Sequence, residues 1–230
     1  MHIAIIGTGK TGNEVIRLLP ENQRHSVFNR RTPVTVEALK GADIVIIFTP
    51  GDSVKALSEI ILEAKIPAIW GSTGFEWPSD IDQRLRKAQI CWVHGSNFSL
   101  GMVLMRHILQ QLGDLVGFLS NPEFRLVESH HTQKVDSPSG TALSWKSWFG
   151  HPVNIESIRK DDIVGQHRLE IETENDLMQF EHQAKSRRIF AEGAIWAAQQ
   201  LTTKRFCNIG LHLFEEMMEK HIKEMKLCQN

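Results

Sequence analysis

At 230 residues, 41% hydrophobic and 23% charged, the chain can bury the core of one large domain or two modest ones. A formal net charge of −1, from 26 basic and 27 acidic residues, argues against a general nucleic-acid or membrane binder. Three scattered cysteines, Cys91, Cys207 and Cys228, form no CxxC pair and argue against a disulfide framework, and no apolar run approaches membrane-spanning length. Met1 leads into a strand rather than a signal peptide, so the expected setting is the cytoplasm.

His2 to Ile6 reads as a strand, Gly7-Thr8-Gly9-Lys10-Thr11-Gly12 follows at once, and Asn13 to Leu19 continues as an apolar-periodic helix ended near Pro20. Strand, glycine turn and helix are the context that a dinucleotide-binding GxGxxG requires. Gly7 allows the tight turn, Gly9 lets the backbone approach a pyrophosphate, and Gly12 lets the helix pack on the strand; Thr8, Lys10 and Thr11 complete the cradle. Gly9-Lys10-Thr11 also looks like the end of a phosphate-binding P-loop, but Ala4 stands where that loop needs its first glycine, so the triphosphatase reading is rejected.

Ser26 to Phe28 is the second strand, and Asn29-Arg30-Arg31 follows. An NAD site places an acid here for the ribose hydroxyls, whereas arginine accommodates the 2′-phosphate of NADP. Arg30 and Arg31 therefore favour NADPH, with NADH as the other option. Gly41 ends the next helix. Strands follow at Asp43 to Phe48, Ile66 to Trp70 and Ile90 to Val93, separated by helices from Ser53 to Ala64 and from a Ser79 cap through Lys87. This alternation predicts a Rossmann-type, doubly wound parallel sheet of the α/β class. Phe48 and Thr49, then Gly71, Ser72 and Thr73, then Ser96, Asn97 and Phe98 lie at strand ends, where a cofactor's nicotinamide side belongs.

Beyond residue 98 the helices between strands thin out. Ser99 to Leu112 is helical, Phe124 to Val127 is a strand, and Ile155 to Ile158, His167 to Glu172 and Leu177 to Ala184 read as further strands. A second α+β domain with a mixed or antiparallel sheet is expected. Phe190 to Leu201 is an apolar helix, and Gly210 to Met225 an amphipathic one that packs back on the first domain. The expected boundaries are 1–98 with 204–230 for dinucleotide binding, and 99–203 for substrate binding and oligomerisation.

Glu128 to Ala142 reads ESHHTQKVDSPSGTA. Ser137 suits an N-cap and Pro138 the first helical position, with Ser139, Gly140 and Thr141 in the first turn. A helix start favours an anion such as a carboxylate, and His130, His131 and Lys134 just upstream move protons and neutralise negative charge. The 11 histidines include no HExxH, and adjacent His130 and His131 point to opposite sides of a strand, so no required metal is expected.

These residues closely resemble the signature of the dihydrodipicolinate reductase family. Gly71-Ser72-Thr73-Gly74-Phe75, Ser96-Asn97-Phe98-Ser99-Leu100-Gly101, Ser157-Ile158-Arg159, Ile163-Val164-Gly165-Gln166-His167 and Phe190-Ala191-Glu192-Gly193-Ala194 match further family blocks in the same order. The resemblance implies hydride transfer from NAD(P)H to a cyclic unsaturated dicarboxylate in lysine and diaminopimelate biosynthesis. It implies His130 and Lys134 as the proton-donor pair, His131, Lys134, Ser139, Gly140 and Thr141 as substrate ligands, and a homotetramer built through the second domain's sheet. Three departures bear on cofactor preference more than on chemistry: the stretch between the second strand and Ala38 is short, Ile47 replaces an acid, and Lys160-Asp161-Asp162 replaces a glycine-containing loop after Arg159. Two other readings fit the sequence less well. A semialdehyde dehydrogenase needs a nucleophilic cysteine, and Cys91 lies inside a strand. A cofactor-sensing regulator is expected to have lost His130, His131 or Lys134, all of which are intact.

Overall fold

The computed structural model describes residues 1–132, 134–160, 163–203 and 208–227. Cys207 and Cys228 lie outside the described residues. The chain divides into two compact units, Met1–Ser99 with Arg188–Asn230, and Leu100–Arg187. Among the described residues, no helix is long and apolar enough to cross a membrane.

In unit 1, strands β1 (Ile3–Ile6), β2 (His25–Phe28), β3 (Ile44–Ile47), β4 (Ala68–Trp70) and β5 (Cys91–His94) join a late strand, β10 (Gly210–Leu213). The order is β10-β5-β4-β3-β1-β2, and every pair is parallel. All eight residues of β1 and β3 are buried, as a sheet covered on both faces demands. Alternate side chains Ala4, Ile6, Val45, Ile47, Ala68 and Trp70 pack with residues of α2 (Val54–Glu63) and α3 (Ile81–Ala88). On the opposite face, α6 (Arg188–Thr202) packs against α1 (Lys10–Leu18), β3 and β4. Burying a large aliphatic side chain contributes roughly 1.5–3 kcal/mol, so this two-sided layer fixes the strand ends that follow it.

Several elements differ from the sequence expectation. A single 3₁₀ turn, Glu37–Leu39, stands where a helix was expected before Gly41. Asp80, not Ser79, occupies the N-cap position of α3. Residues 210–213 are a strand, and only Phe214–Leu227 is helical (α7); four residues are too few to show a strand period, and Leu211 is fixed instead by pairing with β5 and by its amide on the Asp82 carboxylate at 2.9 Å. The second boundary falls at Arg187/Arg188, not after residue 203. The cause is the small-residue stripe Ala191, Gly193, Ala194, Ala197 and Ala198, which lets α6 seat closely in unit 1; a side chain at Gly193 would collide with the Phe98 carbonyl.

Unit 2 carries β6 (Glu123–His130), β7 (Asn154–Arg159), β8 (Gly165–Glu172) and β9 (Leu177–Ala184) in the order β7-β6-β8-β9. The β6/β7 pair is parallel and the others antiparallel. Helices α4 (Leu100–Leu115) and α5 (Gly140–Phe149) cover one face through Met102, Leu109, Ala142, Trp145 and Phe149. β6 runs through the polar residues to His130, three residues beyond the expected end at Val127, which places Glu128 and His130 on a rigid strand.

Candidate active site

At the carboxyl ends of β1, β2 and β3 lies a cavity of about 690 Å³. Gly7, Thr8 and Gly9 line it together with Arg30, Arg31, Phe48 and Thr49, and Pro33, Val34, Ala56, Leu57 and Ile60 add an apolar wall. Gly7 has φ +101°, and a side chain there would collide with the Phe48 carbonyl; a side chain at Gly12 would collide with the Gly7 carbonyl. Around Gly9, by contrast, nothing lies within 4 Å of where a Cβ would stand. No side chain caps α1 at Gly9 and its first turn holds no acid, so an anion meets amide groups alone. These features fit a dinucleotide. Lys10 and Thr11 open α1 and do not line the cavity.

The next strand ends are joined to this one. Ser72 Oγ accepts from the Thr49 amide at 3.2 Å and lies 3.1 Å from Thr49 Oγ1, while Gly71 leaves room for the Phe48 ring. Thr73 continues the same turn, its carbonyl close against Gly51. After β5, Asn97 Oδ1 accepts from the Ser99 amide at 2.9 Å, next to Ser96. Phe98 is a core ring, 1% exposed, against Phe48 and Phe214.

In unit 2, His130 stands at the end of β6 and donates through Nδ1 to the Glu128 carboxylate, two residues earlier on the same strand face. Because an ionised carboxylate only accepts, Nδ1 carries the proton and Nε2 is the free nitrogen. Arg159 Nη2 donates to the other Glu128 oxygen at 2.8 Å and to the Asp136 carbonyl at 2.7 Å. The His131 amide donates to the Ile163 carbonyl at 2.8 Å, and Lys134 Nζ pairs with Asp136 Oδ1 at 2.8 Å. Ser139, rather than Ser137, is the N-cap of α5: its Oγ accepts from the Ala142 amide at 3.1 Å, and the helix starts at Gly140, two residues later than expected. The same Oγ lies 3.1 Å from His167 Nε2, and the His167 and His130 rings are 5.1 Å apart. Ser139 is 1% exposed, so its hydroxyl is committed internally. Gly140 is exposed and Thr141 half-buried at the helix start.

Burial pushes His130 below the ordinary imidazole range; the Glu128 carboxylate opposes that shift, and the positive charges of Lys134 and Arg159 add to it. Burial would raise the Glu128 carboxyl, but hydrogen bonds from Arg159, Ser157 and His130 outweigh it and hold the group ionised. His167 is driven by burial down to about 3 and is neutral. Glu128, His130 and His167 present ligand-type atoms within 4.8 Å of one another. The Arg159 guanidinium already neutralises the one carboxylate among them, and Lys134 adds a second positive charge, so this cluster suits a proton better than a metal cation.

A family model described as dihydrodipicolinate reductase, N-terminus, matches residues 1–98, and one described as dihydrodipicolinate reductase, C-terminus, matches residues 101–217. The chain belongs to the dihydrodipicolinate reductase family. Curated relatives named 4-hydroxy-tetrahydrodipicolinate reductase agree. One from Buchnera aphidicola is 32% identical over 197 residues, spanning 75% of this chain and 71% of the relative. One from Christiangramia forsetii is 28% identical over 229 residues, spanning 89% and 93%. A dipicolinate-bound dihydrodipicolinate reductase from Paenisporosarcina sp. TG-14 shares the fold at TM-score 0.67 and 19% identity, covering 94% of this chain and 98% of that one. Aspartate semialdehyde dehydrogenase II of Vibrio cholerae shares it more distantly, at TM-score 0.54 and 11% identity, over 89% and 99%.

As a dihydrodipicolinate reductase family member, the protein is an oxidoreductase of the 4-hydroxy-tetrahydrodipicolinate reductase kind. Sequence reasoning gave no role to Glu128, Arg159 or His167 in this reductase. Glu128 was legible, since residues two apart on a strand share a face. Arg159 and His167 reach His130 only through the β6/β7 and β6/β8 pairings, where His130 stands opposite Arg159 and Glu128 opposite His167.

Proposed function

We propose that this protein reduces 4-hydroxy-tetrahydrodipicolinate, or the dihydrodipicolinate formed from it, to tetrahydrodipicolinate, and that His130 and Lys134 supply the proton. From the hydroxylated substrate, the overall change is uptake of one hydride and one proton with loss of water. The observation that carries the reading is the His130 imidazole, fixed through Nδ1 on buried Glu128 with Nε2 free, on the strand that runs into the loop bearing Lys134. When bound, the dinucleotide supplies the hydride. Its arrival on a conjugated imine leaves an electron-rich, enamine-like carbon that must take a proton, and a positioned general acid contributes about 10²–10⁴-fold to such a step.

Unit 1 holds the dinucleotide through Gly7, Thr8 and Gly9, with Gly12 seating α1 against the Gly7 carbonyl, with Lys10 and Thr11 at the helix start, and with Phe48, Thr49, Gly71, Ser72, Thr73, Ser96 and Asn97 forming the nicotinamide side, backed by the buried Phe98 ring. Arg30 and Arg31 favour NADPH. Unit 2 holds the dicarboxylate through His131, Lys134 and the α5 start at Gly140 and Thr141, with the buried Ser139 fixing that start as its cap rather than touching the ligand; the dipicolinate on the Paenisporosarcina relative supports a ligand of that class. The same unit carries assembly into a cytoplasmic homotetramer.

The test is NADPH oxidation with the condensation product of pyruvate and aspartate semialdehyde, generated in place. The unmodified protein oxidises NADPH, and His130→Gln and Lys134→Ala each lose about 10²–10⁴-fold in turnover. Near-normal turnover in both variants overturns the assignment of the proton donors.

A further inference from the structure

We propose that Glu128 and Arg159 are positioning residues that hold the His130 imidazole, and the loop beside it, in the geometry for proton delivery. This rests on the reading of His130 as a proton donor. Glu128 is fully buried and cannot touch a substrate. Its two oxygens are separately engaged, one by His130 Nδ1 and the other by Arg159 Nη2 at 2.8 Å, and Ser157, directly opposite on β7, adds a third donor. A carboxylate fixed from three sides cannot rotate, so it sets both the tautomer and the ring plane of His130.

Arg159 extends the same restraint. The nitrogen that holds Glu128 also holds the Asp136 carbonyl at 2.7 Å, and Asp136 in turn carries Lys134 at 2.8 Å. One guanidinium thus ties the strand with the imidazole to the loop with the ammonium. Gly165 on β8 completes the seat, because a methyl group there would lie 3.1 Å from His130 Nε2, the nitrogen left for chemistry.

The charged and titratable groups facing His130 come from every neighbouring element. Among the described residues they are Glu128 on β6, Arg159 on β7, Lys134 in the loop and His167 on β8, with His182 of β9 opposite His167. Only Glu128 favours the imidazolium. As a purely structural ion pair, Glu128–Arg159 has weak standing, since a buried pair often contributes little against apolar replacements. As a device that keeps a proton available on a buried imidazole, each contact has a use.

The test compares kcat–pH profiles of the parent, Glu128→Gln, Arg159→Lys and His130→Gln proteins, with KM for the cyclic dicarboxylate and thermal melting measured on each. Glu128→Gln keeps shape and loses charge. Its alkaline limb, where the donor deprotonates, moves to lower pH by about one unit or more, kcat at pH 8 falls about tenfold or more, and KM changes less than about twofold. Arg159→Lys leaves the carboxylate in place but cannot span both partners, so kcat falls severalfold with KM changed less than about twofold. A Glu128→Gln limb that superimposes on the parent's, or an unchanged kcat in Arg159→Lys, overturns the inference. If His130→Gln itself keeps near-normal turnover, the donor reading fails and this inference with it. If His130→Gln collapses turnover while the Glu128→Gln limb stays put, this inference fails alone.

Discussion

Asn29 closes β2 by accepting its own backbone: Oδ1 takes the Arg31 amide at 2.8 Å and the Thr32 amide at 3.2 Å. Its oxygen is therefore spent, and among the described residues no carboxylate directly follows β2 for the ribose hydroxyls of NADH; the acid lining this cavity, Asp52, lies beyond β3. Arg30 and Arg31, both exposed at the cavity rim, offer guanidinium groups for a 2′-phosphate. A charge-assisted hydrogen bond of about 1.5–3 kcal/mol corresponds to roughly 10- to 100-fold in binding. Arg30→Ala and Arg31→Ala are thus expected to raise KM for NADPH by about tenfold or more between them, with KM for NADH moving far less. Strong NADH preference in the unmodified enzyme ends this idea. At this scale the sequence was readable where structure is local, as in the end of β2 at Phe28 before Asn29, and mute where one side chain borrows another. Ser139 illustrates the second case, because a serine in a helix start says nothing of a histidine 28 residues away.

Helix α5 is where a local rule and a tertiary one compete. Ser137-Pro138 fits the usual opening of a helix, yet the cap is Ser139, whose hydroxyl satisfies the Ala142 amide and meets His167 at once. Losing an N-cap costs about 0.5–2 kcal/mol, and orphaning a buried acceptor about 1–3 kcal/mol. Ser139→Ala is expected to lower stability by about 2 kcal/mol in urea unfolding, whereas Ser137→Ala stays within about 0.5 kcal/mol. Equal effects of the two would restore Ser137 as the cap. The strands β1 and β3 were legible because a strand buried on both faces is an unbroken apolar run, IAII or IVII. β10 was not, since GLHL is continuous with the helix after it and becomes a strand only through β5 and Asp82.

Across the whole molecule, burial holds His94, His130, His167 and His182 below the ordinary imidazole range, and three of the four lie in unit 2. A histidine that is harder to protonate when folded gives stability that is complete above about pH 6.5 and is lost as pH falls, because the unfolded chain then binds the extra proton. For His167, whose folded value is about 3, the loss is about 1.4 kcal/mol per pH unit below about 6.5. The urea midpoint is expected to drop between pH 7.5 and 5.5, less steeply in His167→Gln; a midpoint indifferent to pH contradicts the account. Last, unit 2 is one continuous stretch, whereas unit 1 is interrupted at Ser99 and resumed at Arg188. A ribosome therefore delivers all of the second sheet before α6 and β10, which the first sheet needs for its cover and its sixth strand, have been made. The half-built sheet waits through residues 95–209 of synthesis with the edge of β5 unpaired, a window in which chaperones have something to hold.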